Sequence, residues 1–239
     1  LLMRRLEIED WYTRHPEIDD EEIAAPLMVL GLPRTGSTAL HCLLGEDPAV
    51  RTMSNWEAMA PCPPPELATY DTDPRIAQME AQMAMRDVMT PRMKQMLPST
   101  ATSPSEDQLT MGYSFVSQIF QASFHIPSYA QWLHHEADLE PTFRYVKRVL
   151  KLLQWRCPPK RWRLKNPTYS MFVTALDKVF PDARYCMTHR DVANVIPSVA
   201  DIYFEMGKVT SDDYDKHWMG AINTEFAHLG MQRMIAFRD

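Results

Sequence analysis

The chain has 239 residues, 45% hydrophobic and 23% charged, enough for one sizeable core, and no apolar run reaches the roughly 18 residues of a membrane span. With 25 Lys and Arg against 31 Asp and Glu the net charge is -6, which argues against a general nucleic-acid or anionic-membrane surface. Cys42, Cys62, Cys157 and Cys186 show neither a Cys-x-x-Cys pair nor zinc spacing, so reduced, mostly buried thiols and a cytoplasmic setting are expected, with no signal peptide in view.

Residues 4–14 predict an N-terminal helix and 26–31 the first strand. That apolar strand runs straight into Gly31-Leu32-Pro33-Arg34-Thr35-Gly36-Ser37-Thr38, after which Gly36–Gly45 predicts a helix. A helix start leaves backbone N–H groups unpaired and carries partial positive charge, so a loop delivering the chain there makes an anion site. Gly31 and Gly36 let the backbone turn close to a ligand, Thr35, Ser37 and Thr38 add hydroxyl donors, and Arg34 adds a planar cationic fork. No Gly-Lys-Ser/Thr triplet occurs, so the loop is not a Walker A motif.

Pro61-Cys62-Pro63-Pro64-Pro65 marks a rigid connector, and Asp73-Pro74 opens a helical pattern running through Leu97. Ile76, Met79, Met83, Val88, Met89, Met93 and Met96 lie on or near one stripe of it, read as core or as an acceptor lid. Further helices are predicted over 106–122, 128–136 and 140–155, and strands over 161–165 and 183–189, each followed by a helix. His134-His135-Glu136 invites a metal reading, but adjacent histidines point to different helix faces and no His-Glu-x-x-His occurs, so a surface or interhelical role is expected. His41 and His189 flank the loop and the last strand, where packing or hydrogen bonding is the expected role.

Strand followed by helix, repeated, implies an α/β fold: a parallel central sheet flanked by helices, with right-handed crossovers and ligands bound beyond the carboxyl ends of the strands. Gly31, Lys165 and Arg190 all fall at such ends, so three separated motifs converge on one cleft. The chain reads as a single domain, 1–239, with a helical insertion at about 66–156.

The later strand that would supply a magnesium-binding Asp reads Ala183-Arg184-Tyr185-Cys186-Met187-Thr188-His189, without an acid. It ends in Arg190-Asp191, with Ser198 eight residues after Arg190. Together with the loop, this resembles a sulfotransferase that uses 3'-phosphoadenosine 5'-phosphosulfate (PAPS), of the bacterial type with a Gly-Leu-Pro-Arg-Thr-Gly-Ser-Thr loop and a P-loop NTPase-like fold. Trp162-Arg163-Leu164-Lys165-Asn166-Pro167 is similar to a third family segment, and the resemblance runs from about Pro26 to about Tyr203.

The resemblance implies that Arg34, Thr35, Gly36, Ser37 and Thr38 cradle the 5'-phosphosulfate, that Arg190 and Ser198 hold the 3'-phosphate, and that Arg34 and Lys165 stabilise the transferring group without a metal. Adenosine 3',5'-bisphosphate (PAP) is the product. The family's His two residues after the Pro is missing here, where Thr168 and Tyr169 stand. The base is therefore sought among carboxylates: Glu57 first, in a position similar to an acceptor-side Glu of trehalose and heparan N-sulfotransferases, and Glu106 second, in an acidic pair common in the family. Either acid also suits a helix start.

The chain begins Leu1-Leu2-Met3 and stops at Phe237-Arg238-Asp239 in what reads as a helix-to-strand transition, so further sequence is expected. No Arg-Lys-Gly triplet occurs, so this branch closes the nucleotide site differently or that part lies outside the chain. Two rival functions stand beside sulfuryl transfer to a small-molecule, lipid or carbohydrate hydroxyl: a P-loop nucleotide kinase, and a nucleotide-binding protein without catalysis. Acceptor identity and oligomeric state are not encoded in these motifs.

Overall fold

The computed structural model describes residues 1–158, 161–212 and 214–239. Its centre is a sheet of three parallel strands, β1 (Leu27–Leu30), β2 (Arg163–Lys165) and β3 (Arg184–Met187), in the order β2-β1-β3. Met28, Val29 and Leu30 are all buried, the continuous apolar run of a parallel strand covered on both faces. Register pairs Val29 with Lys165 and Leu30 with Met187. The strands therefore end level, and the segments after them leave from one edge of the sheet.

Helices α1 (Leu2–Arg14), α2 (Ser37–Gly45) and α3 (Asn55–Met59) precede two elements read from sequence as one helix, α4 (Pro74–Met89) and α5 (Pro91–Met96). Thr90 (φ -134°, ψ 66°) breaks it, because Pro91 disfavours helical backbone in the residue before it. The methionine stripe is divided: Met83 is buried, Ile76, Met79, Met93 and Met96 are half-buried, and Val88 and Met89 are exposed. Val88 and Met89 are thus outside the core, while Met93 and Met96 pack against a small cluster near the cavity described below.

The predicted 106–122 helix is also two, α6 (Gln108–Gly112) and α7 (Gln118–Ser123), interrupted at Phe115, whose φ of 58° no α-helix admits. Helices α8 (Pro127–His135) and α9 (Glu140–Gln154) complete the insertion, while α10 (Val173–Val179), α11 (Val192–Gly207) and α12 (Lys216–Arg238) follow β2 and β3. Phe143, Val146, Leu150 and Leu153 of α9 join Met28, Leu30, Trp162 and Leu164 in the main core. The α12 helix runs to Arg238, so the expected transition toward a strand is not seen in the chain. No described helix is long and apolar enough to cross a membrane.

Candidate active site

Beyond β1 the backbone is left-handed at Gly31 (φ 122°), Arg34 (φ 68°) and Gly36 (φ 92°). A Cβ on Gly31 would sit 2.7 Å from the Thr188 carbonyl oxygen, so the close approach of the β1 and β3 ends requires glycine. Arg34 holds a conformation costly for an L-residue, fixed by three hydrogen bonds. Its Nε donates to Ser198 Oγ (3.0 Å), its Nη1 to the Met96 carbonyl (3.2 Å), and its own carbonyl accepts from Arg190 Nη1 (3.1 Å). The two basic motifs, remote in sequence, are in contact.

At the start of α11, Asp191 accepts from Ala193 N–H (2.9 Å) as the cap, which starts the helix directly after Arg190 and places Ser198 on it. Among the described residues neither Arg34 nor Arg190 has a carboxylate partner. Gly36 opens α2 without a side-chain cap, so the helix start keeps its unpaired N–H groups. Two cations and a bare helix start therefore line one cavity of about 400 Å³, with Ser37 and Thr38 beside them.

The carboxyl end of β2 lies beneath. Lys165 is buried, its Nζ donating to Thr38 Oγ1 (3.1 Å) and ion-paired with Glu106, whose side chain is 39% exposed and lines the cavity. Gln108 Nε2 donates to Asn166 Oδ1 (2.9 Å) and Thr168 Oγ1 (2.5 Å), so the segment after Lys165 is tied into a buried polar network.

The family profile described as "Sulfotransferase family" matches residues 26–239, spanning every motif just described. The chain belongs to the sulfotransferase family. Crystal structures of two sulfotransferases are similar to it: STF9 from Mycobacterium avium (33% identity, TM-score 0.90, covering 99% of this chain and 61% of that one), and STF1 from Mycobacterium tuberculosis H37Rv (32%, TM-score 0.87, 98% and 64%). The chain thus spans about three fifths of the length of these solved sulfotransferases. No curated protein matched the sequence.

Within this member of the sulfotransferase family the structure brings Arg34, Gly36, Ser37, Thr38, Glu106 and Arg190 to one cavity, with Lys165 under its floor and Ser198 bonded to Arg34. Thr35 is not among its lining residues. Its hydroxyl donates to the Leu32 carbonyl (2.7 Å) and accepts from Thr188 Oγ1 (2.6 Å), a tie between the loop and the β3 end. Glu57 is a correction: the carboxylate is fully buried and does not line the cavity. It forms a capping box with Ser54 at α3, pairs with Arg51, and accepts from the Tyr70 hydroxyl at 3.1 Å.

Tyr169, at the position of the missing His, is buried in the core against Phe143. His189 lies past β3 and is exposed, against the expectation of a strand residue. His41 is buried, its Nε2–H bonded to the Arg163 carbonyl (2.9 Å), and burial holds its pKa down at about 4, so it is neutral. The carboxyl of Asp107 is buried with neither oxygen hydrogen-bonded among the described residues. Burial, reinforced by neighbouring Glu106, pushes its pKa up to about 8.

Sequence reading missed Gln108 and the wall opposite the loop: Ile119 and Ala122 of α7, and Val199, Ile202, Tyr203 and Met206 of α11. The signal was present in part. Val195, Val199, Ile202 and Met206 recur at helical spacing on the helix that carries Ser198. A second cavity of about 420 Å³ lies on the other side of Arg190, lined by Leu32, Thr35, Thr188, Ile196 and Met231 among others.

Proposed function

We propose that the protein transfers a sulfuryl group from PAPS to an acceptor hydroxyl, with Glu106 as base. The observation that carries this is the Glu106 carboxylate on the wall of the cavity that holds Arg34, Thr38 and Arg190, fixed there by Lys165. The donor set suits a nucleotide phosphosulfate: two cations without acidic partners among the described residues and an uncapped helix start favour an anion, and a Cβ on Gly36 would meet nothing within 4 Å.

Arg190 and Ser198 hold the 3'-phosphate in this reading, while Arg34 and the loop N–H groups take the phosphosulfate. The acceptor O–H gives its proton to Glu106 as the oxygen's electron pair forms the new S–O bond. The S–O bond to the nucleotide breaks, and its electron pair leaves with PAP. Lys165 acts from below, orienting Glu106 and Thr38 and adding positive charge near the transferring group.

Family membership favours this over nucleotide kinase chemistry. The test is a thermal-shift comparison of PAP with ADP and magnesium. Ligand at 100 times its dissociation constant adds about 2.7 kcal/mol, or about 5–10 °C for a domain of this size. Stabilisation by PAP alone supports the reading, and a response only to ADP with magnesium overturns it. PAP binding without turnover of any alcohol marks a non-catalytic nucleotide binder.

A further inference from the structure

Given the sulfuryl-transfer reading above, on which this inference rests, the same cavity has a second, chemically different half. Its polar end is the loop, Glu106 and Gln108; the opposite wall is Ile119 and Ala122 from α7, Val199, Ile202 and Met206 from α11, and Leu97 after α5. None of these six side chains carries a hydrogen-bond donor or acceptor of ordinary strength. The wall is also well packed: Ala122, Val199 and Ile202 are buried members of one cluster with Tyr214, Met219 and Ile222.

We propose that the acceptor is an apolar alcohol or phenol, with a single hydroxyl directed at Glu106 and a hydrocarbon or aromatic body against this wall. A sugar in this place would leave several of its hydroxyls against carbon, stripped of water and unpaired, whereas a hydrocarbon body gains by leaving water. Gln108 does not change this balance. Its amide nitrogen already donates to Asn166 and Thr168 and its Oε1 accepts from Ser117 Oγ (2.6 Å), which leaves it little capacity to serve polyol hydroxyls. Tyr203 is the one polar side chain that α11 contributes to the lining of the cavity.

The test is isothermal titration of the full chain, saturated with PAP, using 2-naphthol, decan-1-ol and trehalose as probes. The expected result is binding of 2-naphthol and decan-1-ol with a negative heat-capacity change, and none of trehalose. Ile119→Asn and Met206→Gln, both at half-buried positions that tolerate a polar side chain, should weaken 2-naphthol binding roughly tenfold or more. PAP affinity, measured on the same samples, should stay within about twofold of wild type, which also reports that the variants are folded. Preferential binding of trehalose, or 2-naphthol binding that both variants leave unchanged, overturns the proposal while the PAP result still supports sulfuryl transfer. Failure of PAP itself to bind removes the reading underneath, and the acceptor proposal with it.

Discussion

Arg34 Nε donates to Ser198 Oγ at 3.0 Å across 164 residues of sequence, joining the loop after β1 to the helix after β3. A cation and a hydroxyl that the family resemblance assigns to two different phosphates of one nucleotide are therefore neighbours. Arg190 closes the arrangement by donating to the Arg34 carbonyl.

Nucleotide affinity should reflect that contact. Arg190→Ala and Arg34→Ala should each weaken PAP binding by about 10–100-fold, the worth of a charge-assisted hydrogen bond, and Ser198→Ala by about 3–10-fold. Calorimetry on the Arg34→Ala, Ser198→Ala and double variants should show non-additive losses, because the two side chains share a bond. Strict additivity would mean that the pair does not act on the nucleotide together.

The two carboxylates should separate cleanly. Glu106→Gln should lower kcat by about 10²–10⁴-fold with PAP affinity nearly unchanged, as for loss of a general base. Glu57→Gln should instead leave Arg51 as a buried unpaired cation, at a cost of about 3–5 kcal/mol and a Tm loss on the order of 10 °C. Calorimetry and steady-state turnover on both variants check this. A Glu57→Gln protein of normal Tm and low kcat would reverse the assignment.

The loop glycines should differ in how they fail. Gly36→Ala meets open space but must adopt φ 92°, costing about 1–2 kcal/mol. Gly31→Ala adds a collision with the Thr188 carbonyl at 2.7 Å, so urea unfolding should show a clearly larger loss, with PAP affinity reduced as the strand ends separate.

Stability should peak near neutral pH and fall on both sides. Burial lowers the pKa of His41 and His134 to about 4 in the folded chain, against 6.5 for an ordinary His, so between those values the unfolded chain binds more protons and stability is lost as pH falls. Asp107, raised from 3.8 to about 8, works in the opposite sense: the folded chain binds the extra proton in that window, and stability is lost as pH rises. Two histidines outweigh one Asp below about pH 6.5, and Asp107 acts alone from there to about pH 8. Denaturant titrations across this range should show the maximum, and Asp107→Asn should remove the decline on its alkaline side.

What could be read from the sequence was local. The apolar run of β1, the glycines beside it, the cap and arginine at the start of α11, and the strand carrying Lys165 each depend on residues within a dozen positions, so their order predicts a parallel sheet with basic groups at its carboxyl edge. Family-level motifs sit in that layer, which is why the meeting of the loop and Arg190 in one cleft was legible. The apolar half of the cavity was decided by packing. Glu57 and Glu106 both precede or open short helices and look alike in sequence, yet Arg51, Ser54 and Tyr70 enclose the first, while Lys165 holds the second at the cavity. The methionine stripe has helical spacing, but Pro91 breaks its helix and Val88 and Met89 are exposed, so the apolar wall comes from α7 and α11 instead. Periodicity says which side chains share a face of an element. Only the placement of elements against one another determines what that face meets.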